Sequence, residues 1–66
     1  MKIILNGEER EIKEGITIKE LIQELGIKAP NYAVAVGMEV VPKSEYDTYT
    51  LKEGDRVEIV TFVGGG

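Results

Sequence analysis

Most of the reactive groups that a protein uses for catalysis are missing from this chain. Its 66 residues include no cysteine and no histidine. This excludes disulfides, thiolate nucleophiles and sulfur ligands for metals, together with the commonest general base and the commonest zinc ligand. The sequence also lacks a glycine-rich phosphate-binding loop of the Walker type. We therefore predict no catalytic residue, no metal site and no cofactor bound by this chain.

The remaining candidate for chemistry is the carboxylate at the end of the sequence, which follows the glycines Gly64, Gly65 and Gly66. Glycine loses more backbone freedom on ordering than any other residue, so such a run contributes nothing to packing. A frayed end would explain three glycines equally well. A strip without side chains could instead thread through a narrow channel and present the Gly66 carboxylate to another protein. We expect residues 1–63 to form the domain and residues 64–66 to form a flexible tail.

Charge and hydropathy limit the kinds of partner. Twelve acidic residues against eight basic ones give a formal net charge of −4. Nucleic-acid binders carry clusters of lysine and arginine that are absent here, so we expect protein partners and no nucleic acid. No stretch approaches the roughly 20 apolar residues of a membrane span, and the opening "MKIILNGEER" is too short for a signal peptide. We expect a cytoplasmic protein that is monomeric when free and makes no membrane contact.

The elements that must position the tail begin with a predicted hairpin. The pair Asn6-Gly7 is typical of a type I′ turn, because both residues tolerate positive φ. A two-residue loop of this kind pairs Leu5 with Glu8 and leaves the second strand mostly charged. Charged side chains discourage further pairing, so this strand is predicted to lie at the edge of a sheet.

A helix is predicted next, over "TIKELIQELG". Thr17 and Glu20 have the spacing of a capping box, and Gly26 stands where a left-handed C-terminal cap is favoured. Apolar residues recur between these caps with helical spacing, and the resulting stripe is expected to pack in the core. The stripe consists of Ile18, Leu21, Ile22 and Leu25.

Two strands and several turns are predicted after the helix. The run "YAVAV" is apolar and too short for a helix, which indicates a strand buried on both faces or nearly so. Gly37-Met38 predicts a type II′ turn into the short return strand "EVV". A helical turn is expected over residues 44–46 and a tight turn at "EGD". The tyrosines are expected to pack at the rim with their hydroxyls in water: Tyr32, Tyr46 and Tyr49.

The last predicted strand, "RVEIVTFV", leads directly into the glycines. Its alternation places Val57 and Ile59 on one face of the sheet and Val60 and Phe62 on the other. The order β-β-α-β-β-β predicts an α+β fold of the ubiquitin-like β-grasp type, with one mixed sheet of about five strands packed on one helix. One helix covers only one face. Val60 and Phe62, with Ile4 of the first strand, are therefore predicted to form an exposed apolar patch that binds a partner.

Three stretches of the sequence resemble the ThiS family of sulfur carriers for thiamin thiazole synthesis: "MKIILNGEE", "AVAVGMEVVPKSEY" and "LKEGDRVEIVTFVGGG". The MoaD-like carriers of molybdopterin synthesis share "EGD" and a terminal Gly-Gly. They are usually longer and tend to have prolines just before the glycines, where this chain has "TFVGGG". One departure from the ThiS pattern is Gly37-Met38, since the family usually has Asn-Gly or a similar pair at that turn.

The resemblance implies that this chain is the substrate of other enzymes and is not itself an enzyme. A ubiquitin-activating-type enzyme would use ATP to adenylate the Gly66 carboxylate. Sulfur from a cysteine desulfurase or another persulfide donor would then give a thiocarboxylate, and a thiazole synthase would receive the sulfur. Three alternatives remain at this point: a MoaD-type carrier for molybdopterin or tRNA thiolation, a ubiquitin-like modifier conjugated through Gly66, and a passive interaction domain.

Overall fold

The computed structural model describes residues 1–62 as one five-stranded sheet with one helix. The strands lie in the order β2-β1-β5-β3-β4, with β1 parallel to β5 and all other neighbours antiparallel. This mixed sheet confirms the predicted element order. The elements are β1 (Lys2–Leu5), β2 (Glu8–Glu11), α1 (Ile18–Leu25), β3 (Tyr32–Val36), β4 (Glu39–Val41), a 3₁₀ turn (Lys43–Glu45) and β5 (Arg56–Thr61).

The first hairpin has the predicted turn and register. Asn6 and Gly7 have φ values of 49° and 84°, as a type I′ turn requires, and Leu5 pairs with Glu8. All four residues of β2 are exposed, and β2 lies at one edge of the sheet. The charged strand therefore closes this edge to further pairing, as predicted.

The side chain of Asn6 has a second role that its position in the turn does not reveal. Its Oδ1 accepts a hydrogen bond from the backbone amide of Ile59 at 2.8 Å, and its Nδ2 donates to the carbonyl of the same residue at 3.3 Å. The primary amide thus takes the place of one more peptide group in the parallel ladder between β1 and β5. One residue both reverses the chain and extends the central pairing of the sheet.

Helix α1 begins and ends as predicted. The Thr17 hydroxyl accepts a hydrogen bond from the Glu20 amide at 3.2 Å, and the Glu20 carboxylate accepts one from the Thr17 amide at 2.9 Å. This second bond is the main reason that the pKa of Glu20 is lowered from its ordinary value. Gly26 adopts the left-handed conformation with a φ of 70°. Three residues of the predicted stripe are buried in the core, namely Ile18, Leu21 and Ile22. The fourth, Leu25, is only partly buried.

The core lies between α1 and one face of the sheet, and it includes a tyrosine. We predicted that Tyr46 would pack at the rim, and this is wrong, because the residue is buried against the core cluster. The 3₁₀ turn before it directs the ring inward, where it stacks on Tyr32 with the ring centroids 6.1 Å apart. Burial raises the pKa of the Tyr46 hydroxyl. The buried apolar residues are Ile3, Ile12, Ile16, Ile18, Leu21, Ile22, Val34, Val41, Tyr46, Leu51, Val57 and Ile59.

Strand β3 is less buried than its apolar sequence suggests. Only Val34 is fully buried, and the alanines on either side of it, Ala33 and Ala35, are half-buried. Both alanines face away from the helix, on a side of the sheet that no second layer formed by residues 1–62 covers. The prediction of burial on both faces was therefore too strong, although β3 does lie inside the sheet between β5 and β4.

The turns that follow β3 agree with their sequences. Gly37 has a φ of 67°, and Met38 is not among the residues with positive φ, which is the pattern of a type II′ turn. The predicted helical turn is present one residue earlier than expected, over Lys43–Glu45. At "EGD", Gly54 has a φ of 82°, and the Asp55 carboxylate accepts a hydrogen bond from the Lys52 amide at 2.8 Å.

Within residues 1–62, α1 is eight residues long, and no helix there has the length and apolar character needed to cross a membrane.

Candidate functional site

Within residues 1–62, one face of the sheet carries no helix. Val34, Val57 and Ile59 are buried toward α1, so their neighbours along each strand point to the opposite side. The pairing register places side chains from four adjacent strands together on this side. We call it the helix-free face, and its members include Ile4, Ala33, Ala35, Val40, Arg56, Glu58 and Val60.

An apolar patch occupies the part of this face where β5 ends. Val60 is 59% exposed and Phe62 is 47% exposed, as the alternation of the last strand predicted. Val40 of β4 is 74% exposed. The register pairs Ala33 with Val60 and Ala35 with Val40, so small side chains lie between the larger ones. We call these five residues the apolar patch; large exposed apolar patches are candidate interaction sites.

Ile4 lies on the same face but apart from the apolar patch. It is half-buried and pairs with Arg56, four residues before Val60 on the same strand. At about 3.3 Å per residue, this separates the two positions by about 13 Å along the strand. The structure therefore does not place Ile4 next to Val60 and Phe62. It lies instead in a groove of about 600 Å³, lined by Ile4, Gly7, Gly37, Met38, Arg56, Val57 and Glu58.

The sequence interpretation did not assign Val40 to this face. The letters "EVV" do not show which valine points inward, because that depends on the register between β3 and β4. In the structure Val41 pairs with the buried Val34 and is itself buried, so Val40 must face the other way. The signal available was that two adjacent valines in a strand cannot both face the same helix.

Phe62 is the last residue that the structure describes, and it stays attached to the sheet. Its backbone amide donates a hydrogen bond to the carbonyl of Asn31 at 3.1 Å, which continues the pairing of β5 with β3. The chain therefore leaves the described part of the domain directly beside the apolar patch. The predicted tail residues, Gly64, Gly65 and Gly66, and the domain boundary at residue 63 lie outside the described residues.

A basic side chain lies near the same end of the sheet, on the side of the helix. The Lys43 ammonium is 5.0 Å from the ring centroid of Tyr32, a distance typical of a cation–π contact. Tyr32 pairs with Thr61, so this cation is close to the end of β5. The exit point of the chain thus has an apolar surface on one face and a held positive charge on the other.

A mixed five-stranded sheet with a single helix across one face defines the ubiquitin-like β-grasp class. The structure is similar to a crystal structure of the thiamine biosynthesis protein ThiS from Geobacter metallireducens. The TM-score is 0.87, the sequence identity is 32%, and the similarity covers all of both chains. The model of the ThiS family matches residues 3–66, and this chain belongs to that family.

The relatives found at the level of sequence include sulfur carriers and thiazole synthases. The sulfur carrier protein ThiS of Thermus thermophilus is 39% identical over 62 residues, which is 94% of this chain and 95% of that protein. A thiazole synthase of Paramagnetospirillum magneticum is 44% identical over all 66 residues of this chain. This chain spans only 20% of the length of that synthase and of a second one, from Magnetococcus marinus. The predicted resemblance to the ThiS family is confirmed.

Proposed function

We propose that this chain is a sulfur carrier that accepts sulfur as a thiocarboxylate on Gly66 and donates it to thiazole synthesis for thiamin. The observation that carries the proposal is the match to the ThiS family over residues 3–66, which includes the terminal glycines. The chain acts as a substrate that other enzymes modify. The absence of cysteine and histidine from its sequence agrees with this role.

The proposed chemistry starts from a carboxylate that is ionised at neutral pH, because an α-carboxyl group has a pKa of about 3.3–3.7. A carboxylate oxygen of Gly66 attacks the α-phosphorus of ATP on a ubiquitin-activating-type enzyme, and pyrophosphate leaves. The resulting acyl-adenylate is a reactive electrophile. A persulfide, supplied by a cysteine desulfurase or another donor, attacks the acyl carbon and releases AMP. A second thiol then cleaves the sulfur–sulfur bond, which leaves the thiocarboxylate on Gly66 and a disulfide on the donor side.

The position of the apolar patch supports docking of the adenylating enzyme on the helix-free face. Four residues follow Phe62 in the sequence and reach at most about 14 Å when extended. An enzyme that acts on Gly66 must therefore come close to Phe62 and to Val60 beside it. Burial of exposed apolar area is the main favourable term in most protein association. We propose Val60, Phe62 and Ile4 as contacts, with Gly64 and Gly65 passing into the active site.

The acceptor of the sulfur is proposed to be a thiazole synthase. This rests on the ThiS membership of the chain and on the two thiazole synthases that contain a region similar to it. Related activation chemistry also serves MoaD-type carriers, tRNA thiolation and ubiquitin-like modifiers, so the fate of Gly66 must be measured directly.

Intact-mass analysis of the protein isolated from its own cells tests the proposal. A carrier shows the mass gain of one oxygen-to-sulfur exchange, located in the C-terminal peptide. Incubation with the thiazole synthase of the same organism and that enzyme's other substrates should then return the mass to that of the carboxylate. Conjugates of higher mass would support a protein modifier instead. A protein that shows neither change would contradict both roles and leave a passive domain.

A further inference from the structure

Met38 is exposed to a degree that the fold does not explain. The residue is 100% exposed at the tip of the turn between β3 and β4. Gly37 supplies the positive φ that the turn needs, so the second position accepts almost any residue. A polar side chain would close the hairpin as well and would remain hydrated. The fold thus sets no requirement for a large apolar side chain at this position.

The location of Met38 connects it to the surface proposed for docking. It lines the groove that also contains Ile4 and Arg56 on the helix-free face. Val40, two residues further on, belongs to the apolar patch. Met38 lies about 20 Å from Phe62 when the distance is counted along β3 and the turn at about 3.3 Å per residue. A protein interface of standard size, with about 800 Å² per partner, spans this distance.

We propose that Met38 is an apolar anchor at the far end of the docking face, and that its oxidation to the sulfoxide weakens docking on the adenylating enzyme. The inference rests on the proposed function, because it takes that enzyme as the occupant of the face. The proximity of Phe62 to the reacting terminus supports this choice of occupant. A flexible, polarisable thioether adapts to surfaces of different shape, which suits a carrier that must dock on more than one enzyme.

The oxidation step needs only a peroxide. A lone pair of the Met38 sulfur attacks one oxygen of hydrogen peroxide and forms the sulfur–oxygen bond. The oxygen–oxygen bond breaks, and the other oxygen leaves as water after proton transfer. The sulfur is oxidised by two electrons and the peroxide is reduced by two. The product is a polar side chain in place of an apolar one, and sulfoxide reductases reverse the change.

Two features of the chain make oxidation by peroxide selective for Met38. The sequence contains two methionines and no cysteine, so no thiol of this protein competes for the peroxide. The other methionine, Met1, has a side chain only 8% exposed and packs against the core. Accessible sulfur atoms react faster than buried ones. Met38 is therefore expected to be oxidised first.

The test uses the full chain with an unmodified carboxylate, so that sulfoxidation cannot be confused with oxygen-to-sulfur exchange. The protein is treated with dilute hydrogen peroxide, and peptide mass spectrometry locates the added oxygen. Calorimetry then gives the dissociation constant for the adenylating enzyme of the same organism. We expect oxygen on Met38 before Met1, and binding that is about tenfold weaker, as loss of one buried apolar side chain implies. Met38→Gln should weaken untreated binding to a similar extent.

Met38→Leu is the matched variant, since leucine is apolar and has no sulfur. Its dissociation constant should be the same before and after peroxide, whereas that of the wild type should rise. Melting temperatures of all three proteins should agree, because the side chain contacts no core residue. Equal binding by wild type, oxidised wild type and Met38→Gln would overturn the inference while leaving the proposed function intact. Failure of the untreated wild type to bind or to support ATP–pyrophosphate exchange would instead overturn the proposed function.

Discussion

At the scale of single residues, Asn6 shows how one side chain can determine two levels of structure. It adopts positive φ in the turn and forms two hydrogen bonds with Ile59 of β5. These hydrogen bonds connect residues 53 positions apart, so no local pattern in the sequence predicts them. The same residue therefore links the first hairpin to the strand that carries the apolar patch.

Replacing Asn6 separates these two roles. Asn6→Gly keeps the positive φ and removes the side-chain hydrogen bonds, so it should lower the free energy of unfolding by about 1–2 kcal/mol. Asn6→Ala should cost roughly 1 kcal/mol more, because alanine is strained in the left-handed region. Urea unfolding of the three proteins measures both steps. Equal stability of the glycine variant and the wild type would mean that the bonds to Ile59 contribute nothing.

A substitution at Phe62 is expected to weaken docking without weakening the fold. It is about half exposed, so Phe62→Asp should change the free energy of unfolding by less than about 1 kcal/mol. A charge placed in the apolar patch should nevertheless reduce binding to the adenylating enzyme by tenfold or more. Gln23→Asp adds the same charge on the exposed side of α1 and serves as the control. The proposed contact is wrong if Phe62→Asp and Gln23→Asp bind equally well.

At the scale of elements, the structure was most predictable where every signal was local. The cap, the stripe and the terminal glycine of α1 lie within ten residues, and all three are confirmed. Tyr46, Val40 and β3 were misjudged or overlooked for one common reason. Their surroundings depend on tertiary packing: the 3₁₀ turn that directs Tyr46 inward, the register of β3 with β4, and the missing second layer over the sheet. The roles of Gly64 to Gly66 stay a prediction.

The capping box of α1 makes stability depend on pH in a defined direction. The Thr17 amide lowers the pKa of Glu20 in the folded protein. The ionised carboxylate therefore contributes fully to the free energy of unfolding when the pH is above the ordinary pKa of a glutamate. This contribution is lost as the pH falls below the ordinary pKa of a glutamate and through the lowered pKa of the folded state. Glu20→Gln keeps an acceptor for the Thr17 amide but cannot ionise. The wild type should therefore exceed this variant in free energy of unfolding by more at pH 7 than at pH 3, as measured by urea unfolding. An advantage independent of pH would contradict this account.

At the scale of the whole molecule, the fold places the apolar patch beside Phe62, where the described part of the chain ends. Strand β5 is flanked by β1 and β3; Val60 lies near its end, and Phe62 follows directly after it. A partner that recognises this surface is already next to the residues that follow. In the proposed function, Phe62 and the reacting Gly66 are therefore separated in the sequence by only Val63, Gly64 and Gly65.

The length of the tail should matter for reaction and not for stability. Deleting Gly66 moves the terminal carboxylate by about 3.3–3.6 Å, and displacements of even about 1 Å can reduce a rate by roughly a hundredfold. Adding one alanine after Gly66 moves the carboxylate outward and adds bulk. Both variants should lose ATP–pyrophosphate exchange with the adenylating enzyme and keep the wild-type melting temperature. Undiminished exchange by both variants would contradict this prediction and would support the interpretation of the glycines as a frayed end.

The central position of β5 also determines how the domain responds to mechanical force. A force applied along the axis of β5 runs across the hydrogen bonds that this strand makes with β1 and β3. These bonds are therefore loaded together in shear and must break at the same time. An edge strand such as β4 could instead be peeled away one bond at a time. Strand β5 can thus bear a pull along its axis without being peeled from the sheet bond by bond.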